Sequence, residues 1–260
     1  MYATRFALAA SALVSLAGLA SAQPIQLRVT IQNLSPTNSI SFAPLRVGFN
    51  NGTYDSFNTG QAAGAPIVSI AEGGSGSDWF PAFAAADPTA TLGTVVGTPA
   101  GPLFPGITAS TVFTVDPSVN RYFTFAAMIV PSNDYFIGND SPTQYMLFNA
   151  LGQLNITSIS QFGRDVWDAG SEQTIAANAA FLIGGNNADR VAQNGVVESD
   201  FLGLSAFDGL TTAAGYVFNR QFGANDEIYR ITFEVVPTPA AAGLLGLGGL
   251  LAVRRRRATA

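Results

Sequence analysis

Apolar and polar residues alternate strictly near both ends of the central region. Ile25, Leu27, Val29 and Ile31 alternate with Gln26, Arg28, Thr30 and Gln32. This is the period of a strand with one buried face. The same period returns in a strand predicted over Glu227 to Val236, where Tyr229, Ile231, Phe233 and Val235 alternate with Arg230, Thr232 and Glu234. Between them lies a different pattern. Phe125 to Val130 is unbroken apolar, which suits a strand buried on both faces. Arg121–Val130 and Thr111–Val115 read as neighbouring strands joined by a turn at Asp116–Asn120. Further strands are predicted at Phe42–Phe49, with Pro44 as an edge or bend, and at Tyr145–Leu151, Leu154–Phe162 and Gly215–Asn219. A short helix is predicted over Asp78–Ala86, with Ser77 or Asp78 as N-cap and Trp79, Phe80 and Phe83 as the packing face. Asn50–Gly76, Leu92–Gly106 and Asn186–Gly209 are rich in turn formers and read as loops, while Gln173–Phe181 stays open between helix and loop. There is no fixed repeat and no alternation of strand and helix. Many short strands between turn signals predict an all-β chain, an antiparallel β-sandwich with one or two short helices.

The two ends differ in kind from this middle. Arg5, the apolar run Phe6–Leu19 and Ala20-Ser21-Ala22 read as a secretory signal peptide over residues 1–22, with cleavage after Ala22. A single domain then spans residues 23–236. It is long enough to bury a core without staples. A third segment, residues 237–260, opens on Pro237, Thr238 and Pro239. It continues as a small-apolar run over residues 240–253 and ends in Arg254 to Arg257. Such a run is marginal for crossing a bilayer, and its arginines should stay on the cytoplasmic side.

Composition narrows the chemistry. The chain has no Cys and no His, so thiolate nucleophiles, Ser-His-Asp triads and the commonest transition-metal ligand are excluded. All twelve basic residues are Arg, and five of these lie in the terminal segments. The middle therefore sets seven Arg against seventeen Asp and Glu. So acidic a module should repel nucleic acid and anionic membrane surfaces, and attract cations.

The candidate chemistry gathers at two places. Pro131 cannot donate to a ladder, so the buried strand should stop there. Ser132, Asn133 and Asp134 then form a polar turn before Tyr135, Phe136 and Ile137 return to the core. In Trp167-Asp168-Ala169-Gly170-Ser171-Glu172, two carboxylates flank a small flexible turn. Asp134, Asp168 and Glu172 would repel one another if they converged, unless a cation sat between them. Oxygen-only ligands favour Ca²⁺ over zinc or copper. Asp140 and Asp165 lie close in sequence as candidate helpers.

These stretches resemble a known family. Met-Ile-Val-Pro-Ser-Asn-Asp-Tyr-Phe-Ile-Gly, residues 128–138, resembles the first signature of the spondin N-terminal domain. Asp-Ala-Gly-Ser-Glu, residues 168–172, resembles the second. The resemblance spans roughly Gln26 to Val236 and is specific only in these two motifs. It implies a C2-like antiparallel sandwich holding one Ca²⁺ through Asp134, Asp168 and Glu172, the last a Glu where animal members usually carry Asp. It also implies an extracellular matrix or adhesion module, here a bacterial form without cysteines or thrombospondin repeats. The tail resembles the PEP-CTERM sorting signal, which implies processing near Pro237-Thr238-Pro239 by an exosortase-type membrane protease. Thr238 stands where that signal most often has Glu.

The function implied is a secreted, non-catalytic, Ca²⁺-binding module of the envelope or exopolysaccharide, with polysaccharide or envelope components as partners. Two alternatives stay open: a structural matrix protein without a discrete ligand, and a glycan-active enzyme using Asp168 and Glu172 as its carboxylate pair. Mature protein recovered from its host is expected to begin at Gln23 and to lack Arg254 to Arg257. Intact-mass measurement checks this, and a mature pool with the full C-terminus would overturn the sorting-signal reading.

Overall fold

A computed structural model describes residues 23–237. In chain order the elements are β1 (Ile25–Asn33), β2 (Ser41–Phe42), β3 (Leu45–Asn50), α1 (Ala65–Gly73), α2 (Trp79–Ala86), β4 (Thr91–Val95), β5 (Thr108–Val115), β6 (Tyr122–Val130), β7 (Tyr135–Gly138), β8 (Ser158–Phe162), β9 (Trp167–Asp168), β10 (Glu198–Ser199) and β11 (Glu227–Val236). They form an all-β antiparallel sandwich. One sheet runs β5-β1-β11-β8; the other runs β10-β9-β7-β6-β3-β4, with β2 also paired to β6. Every strand pairing among the described residues is antiparallel.

The alternation in β1 becomes geometry directly. Leu27, Val29 and Ile31 are buried, while their polar neighbours stand on the outer face. β11 pairs beside it from Gln26↔Val236 to Asn33↔Tyr229. From the opposite sheet Val47, Phe49, Phe123, Phe125, Ala127 and Ile129 complete the main core. The exception is Val235, which is 43% exposed near the end of its strand.

β6 is buried on both faces, as its unbroken apolar run predicts. Its odd-numbered residues Phe123, Phe125, Ala127 and Ile129 face the other sheet. Ala126 faces the second core, built with Ile67, Ile70 and Ala71 of α1, Trp79 and Phe83 of α2, and Tyr54, Phe57 and Phe136. The helices thus cover the back of the larger sheet. α2 begins one residue after Asp78, which holds the N-cap position without a side-chain cap. Trp79 donates from Nε1 to Ser56 Oγ at 2.8 Å, and Phe83 lies 4.1 Å from the Tyr54 ring centre. Gly48 on β3 makes this approach possible, because a Cβ there would overlap the Phe83 ring.

Six expectations are corrected. β5 and β6 are not neighbours: β5 pairs with β1 in one sheet and β6 with β3 and β7 in the other, so residues 116–121 cross between sheets. Each finds its ladder partners elsewhere, and the two strands meet across the core, Phe113 and Val115 lying in one cluster with Phe123 and Phe125. The stretch read as loop over Asn50–Gly76 contains α1. Of its nine residues only Ala65, Ala71 and Glu72 are strong helix formers, and the helix is stabilised by packing Ile67, Ile70 and Ala71. Leu92–Gly106 contributes most of β4, an edge strand paired to β3. Gly215–Asn219 is no strand but half of a tight loop with one bridge, Thr211↔Val217. The predicted strand at Phe42–Phe49 is interrupted at Ala43 and Pro44, and Tyr145–Leu151 makes only isolated bridges.

No helix among the described residues is long and apolar enough to cross a membrane. Pro237 is exposed at the end of the described chain. The signal peptide with Ala22, Thr238, Pro239 and the 240–253 segment lie outside the described residues.

Phe83→Ala should cost about 3–5 kcal/mol, the range for emptying a fully buried aromatic site. Urea unfolding checks this. A loss below about 1 kcal/mol would mean that the helical layer contributes little to the fold.

Candidate metal centre

The site begins where β6 ends. Pro131 stops the ladder, and Ser132 folds back, its hydroxyl donating to Ile129 O at 2.5 Å and accepting from Tyr135 N at 3.2 Å. This turn carries Asp134 to a fully buried position just ahead of β7. β9 lies against β7 with Tyr135 opposite Asp168 and Phe136 opposite Trp167. The chain leaving β9 therefore runs alongside Asp134. Ala169 N donates to Asp134 O at 3.2 Å.

The two predicted motifs meet here through hydrogen bonds. Asp134 Oδ2 accepts from Ser171 N at 2.7 Å, Ser171 Oγ at 3.0 Å and Glu172 N at 2.9 Å. Asp168 Oδ1 accepts from Gly170 N at 2.7 Å. Gly170 has φ +65°, and a Cβ on it would come within 2.6 Å of Val196 O. No other residue fits that turn without moving the 195–196 backbone. Glu172 Oε1 accepts from Asn178 Nδ2 and lies 3.7 Å from Arg190 Nε. Asp134, Asp168 and Glu172 are all buried, at 0%, 3% and 5% exposure.

Charge at this depth is costly, and the acids respond. Burial raises the pKa of Asp134 despite its three donors, and the charge of Glu72 adds to the rise. Asp168 is pushed up to about 7, first by burial and then by repulsion from Asp134. Glu172 is pushed up to about 7 by burial, Glu72 and Asp134, against the pull of Arg190 and Asn178. Among the described residues, three buried polar atoms here find no partner: Asp134 Oδ1, Asn133 Nδ2 and Asn178 Oδ1.

The donor chemistry fits a hard cation. The set is oxygen-rich, and Asp134 Oδ1 and Asn178 Oδ1 are buried acceptors without donors. Four other oxygens, Asp134 Oδ2, Asp168 Oδ1, Glu172 Oε1 and Asn133 Oδ1, already accept hydrogen bonds from the protein. Among the described residues, no group of three or more Asp, Glu, His or Cys side chains converges into a ready cage.

The structure buries Asp134, Asp168 and Glu172 in one region, in company that the sequence does not reveal. Glu72 sits on the unrecognised α1. Arg190 bridges from the 186–209 excursion, donating from Nη2 to Glu72 Oε1 at 2.5 Å and from Nε to Glu72 Oε2 at 3.1 Å. Asn133 and Asn178 carry no motif that separates them from ordinary turn residues. The proposed helpers lie elsewhere. Asp140 accepts from Thr59 N at 3.0 Å, and Asp165 from Phe162 N at 2.8 Å, each tying down a loop.

No protein-family model matches the chain, and no curated protein matches it in sequence. The likeness to spondin domains rests on the two motifs alone.

A pH dependence follows from the raised pKa values. Asp168 and Glu172 bind their protons more tightly in the fold than in the unfolded chain. Their contribution is therefore fully present below the ordinary carboxylate range and is lost as pH rises through about 7. In EGTA, unfolding free energy should fall between about pH 4 and pH 7, and Asp168→Asn should flatten that slope. Urea titrations across this range test it; equal slopes in both proteins would place the pH dependence elsewhere.

Proposed function

We propose that this chain is a secreted, calcium-binding, non-catalytic module of the bacterial envelope or exopolysaccharide, of spondin-like type. In this reading the signal peptide exports it. The 240–253 segment holds it transiently in the inner membrane, and an exosortase-type protease acts near Pro237-Thr238-Pro239. Its partners are extracellular polysaccharide or envelope components.

The observation that supports the cation is Asp134. A fully buried carboxylate oxygen without a donor, among further buried acids, is an arrangement that a bound cation would stabilise. Asp134, Asp168 and Glu172 would hold Ca²⁺, with Asn178 Oδ1 as a neutral oxygen nearby. The ion would neutralise the cluster and lock the 168–172 turn against β7. Carboxylates drawn onto Ca²⁺ stay ionised and make poor proton donors, which favours binding over catalysis.

Binding to the native state alone raises stability by about 2.7 kcal/mol at a hundredfold excess over Kd. The melting temperature should therefore rise with Ca²⁺ and fall with EGTA. Asp134→Asn and Asp168→Asn should each blunt the response, and Glu172→Gln less so. A melting curve unchanged from micromolar to millimolar Ca²⁺ would leave the cluster as a set of turn and loop groups, and favour a structural matrix protein without a discrete ligand.

A further inference from the structure

A second concavity shares no residue with the carboxylate cluster. It has a volume of about 360 Å³ and is lined by Thr37, Asn38, Phe104, Pro105, Ala214 and Tyr216. That size lies at the small end of ligand sites. Its lining contains no charged side chain. Its apolar surface is aromatic, and the rings are held in place.

Tyr216 is fixed from its far end. Its hydroxyl donates to Ser39 O at 3.1 Å and lies 3.3 Å from Ser41 Oγ. Phe104 is 36% exposed, with its ring centre 6.0 Å from that of Phe181. Phe181 supports it from a left-handed backbone conformation, φ +72°, which a bulky residue adopts only where its surroundings impose it. Ala213 N donates to Phe181 O at 2.8 Å and ties this support to the pocket wall at Ala214. At the rim, Thr37 and Asn38 are exposed, and among the described residues their side chains have no hydrogen-bond partner. Asn38 is also left-handed, φ +63°, with its carbonyl accepting from Asn219 N at 3.0 Å.

The ligand that fits must offer an apolar face and a polar edge, and carry no charge. A cation would find ring faces but no carboxylate in the lining, and an anion would find no Arg. A purely apolar ligand would leave the amide and hydroxyl unused. A pyranose ring has C–H faces with slightly positive hydrogens, which suit the negative face of an aromatic ring, and equatorial hydroxyls for an amide and an alcohol. We propose that this pocket binds a neutral sugar unit of a polysaccharide, with Phe104 and Tyr216 as its stacking surface and Thr37 and Asn38 as its polar contacts. The site gives the envelope module a means of holding glycan that does not depend on the calcium reading.

Isothermal titration of the full chain with cellohexaose and with maltohexaose tests this, with hexagalacturonate as the charged comparison. Saturable binding of at least one neutral hexasaccharide is expected. Phe104→Ala should weaken it about tenfold, a typical cost for losing an aromatic contact. Asn38→Gly, which keeps the left-handed backbone and removes the amide, should weaken it several-fold and carries the test if Phe104→Ala fails to fold. Leu151→Ala, at an exposed apolar residue elsewhere, should bind as wild type. No saturable binding of either neutral hexasaccharide, or unchanged binding by a folded Phe104→Ala, overturns the proposal. Binding that survives Phe104→Ala but vanishes in EGTA and with Asp134→Asn would put the sugar on the carboxylate cluster and overturn it too. Saccharide binding that persists in EGTA supports the pocket, even where Ca²⁺ leaves the melting temperature unchanged and the calcium reading falls alone.

Discussion

The double-sided burial of β6 is the constraint on which the rest depends. A strand can bury both faces only if something covers each. One face meets the four-stranded sheet through Phe123, Phe125, Ala127 and Ile129. The other meets α1 and α2 through Ala126. Apolar burial on this scale dominates the stability of such a domain. It also fixes the strand rigidly, so the turn after Val130 sets Asp134 at a defined place. A carboxylate on a mobile loop would turn to water. This one cannot, because its strand, the 168–172 turn and the 191–197 segment are bonded to one another.

The acidic cluster shows how the chain distributes an unfavourable charge. Asp134 draws three donors to one oxygen and leaves the other bare. Glu172 is tied to Asn178, and Arg190 bridges to Glu72 on α1. Arg190 is the one cation in ion-pair contact with this group among the described residues. It is partly exposed, so its contribution is screened by water. The remaining negative charge stays buried, which is why the carboxyl pKa values rise. Helices that cover the sheet for reasons of packing also bring Glu72 to the cluster, so the hydrophobic layer and the electrostatics are linked through α1.

The uncharged aromatic pocket is built on different physics. Its rings are positioned by a tyrosine hydroxyl bond and by a strained backbone rather than by a strand end.

By itself the sequence determined what depends on local pattern. Period two in β1 and β11, the unbroken apolar run of β6, the stop at Pro131 and the Trp79–Phe83 face are each local, and each appears in the structure. Asp134 is marked by the strand end before it, whereas Asp168 and Glu172 stand out only through the small turn between them and the motif resemblance. Tertiary structure alone decided what depends on partners distant in sequence. Nothing in residues 108–130 says that β5 and β6 lie in different sheets; that is decided by their ladders, β5 on β1 and β6 on β3, with segments distant in sequence. α1 was illegible because it is short, has no side-chain N-cap and carries β-branched Ile67, Val68 and Ile70, and the helix exists through the sheet it covers. For the same reason Glu72 and Arg190 could not be placed beside Asp134. Their separation along the chain is long, and only the closure of the sandwich and its helical layer makes them neighbours.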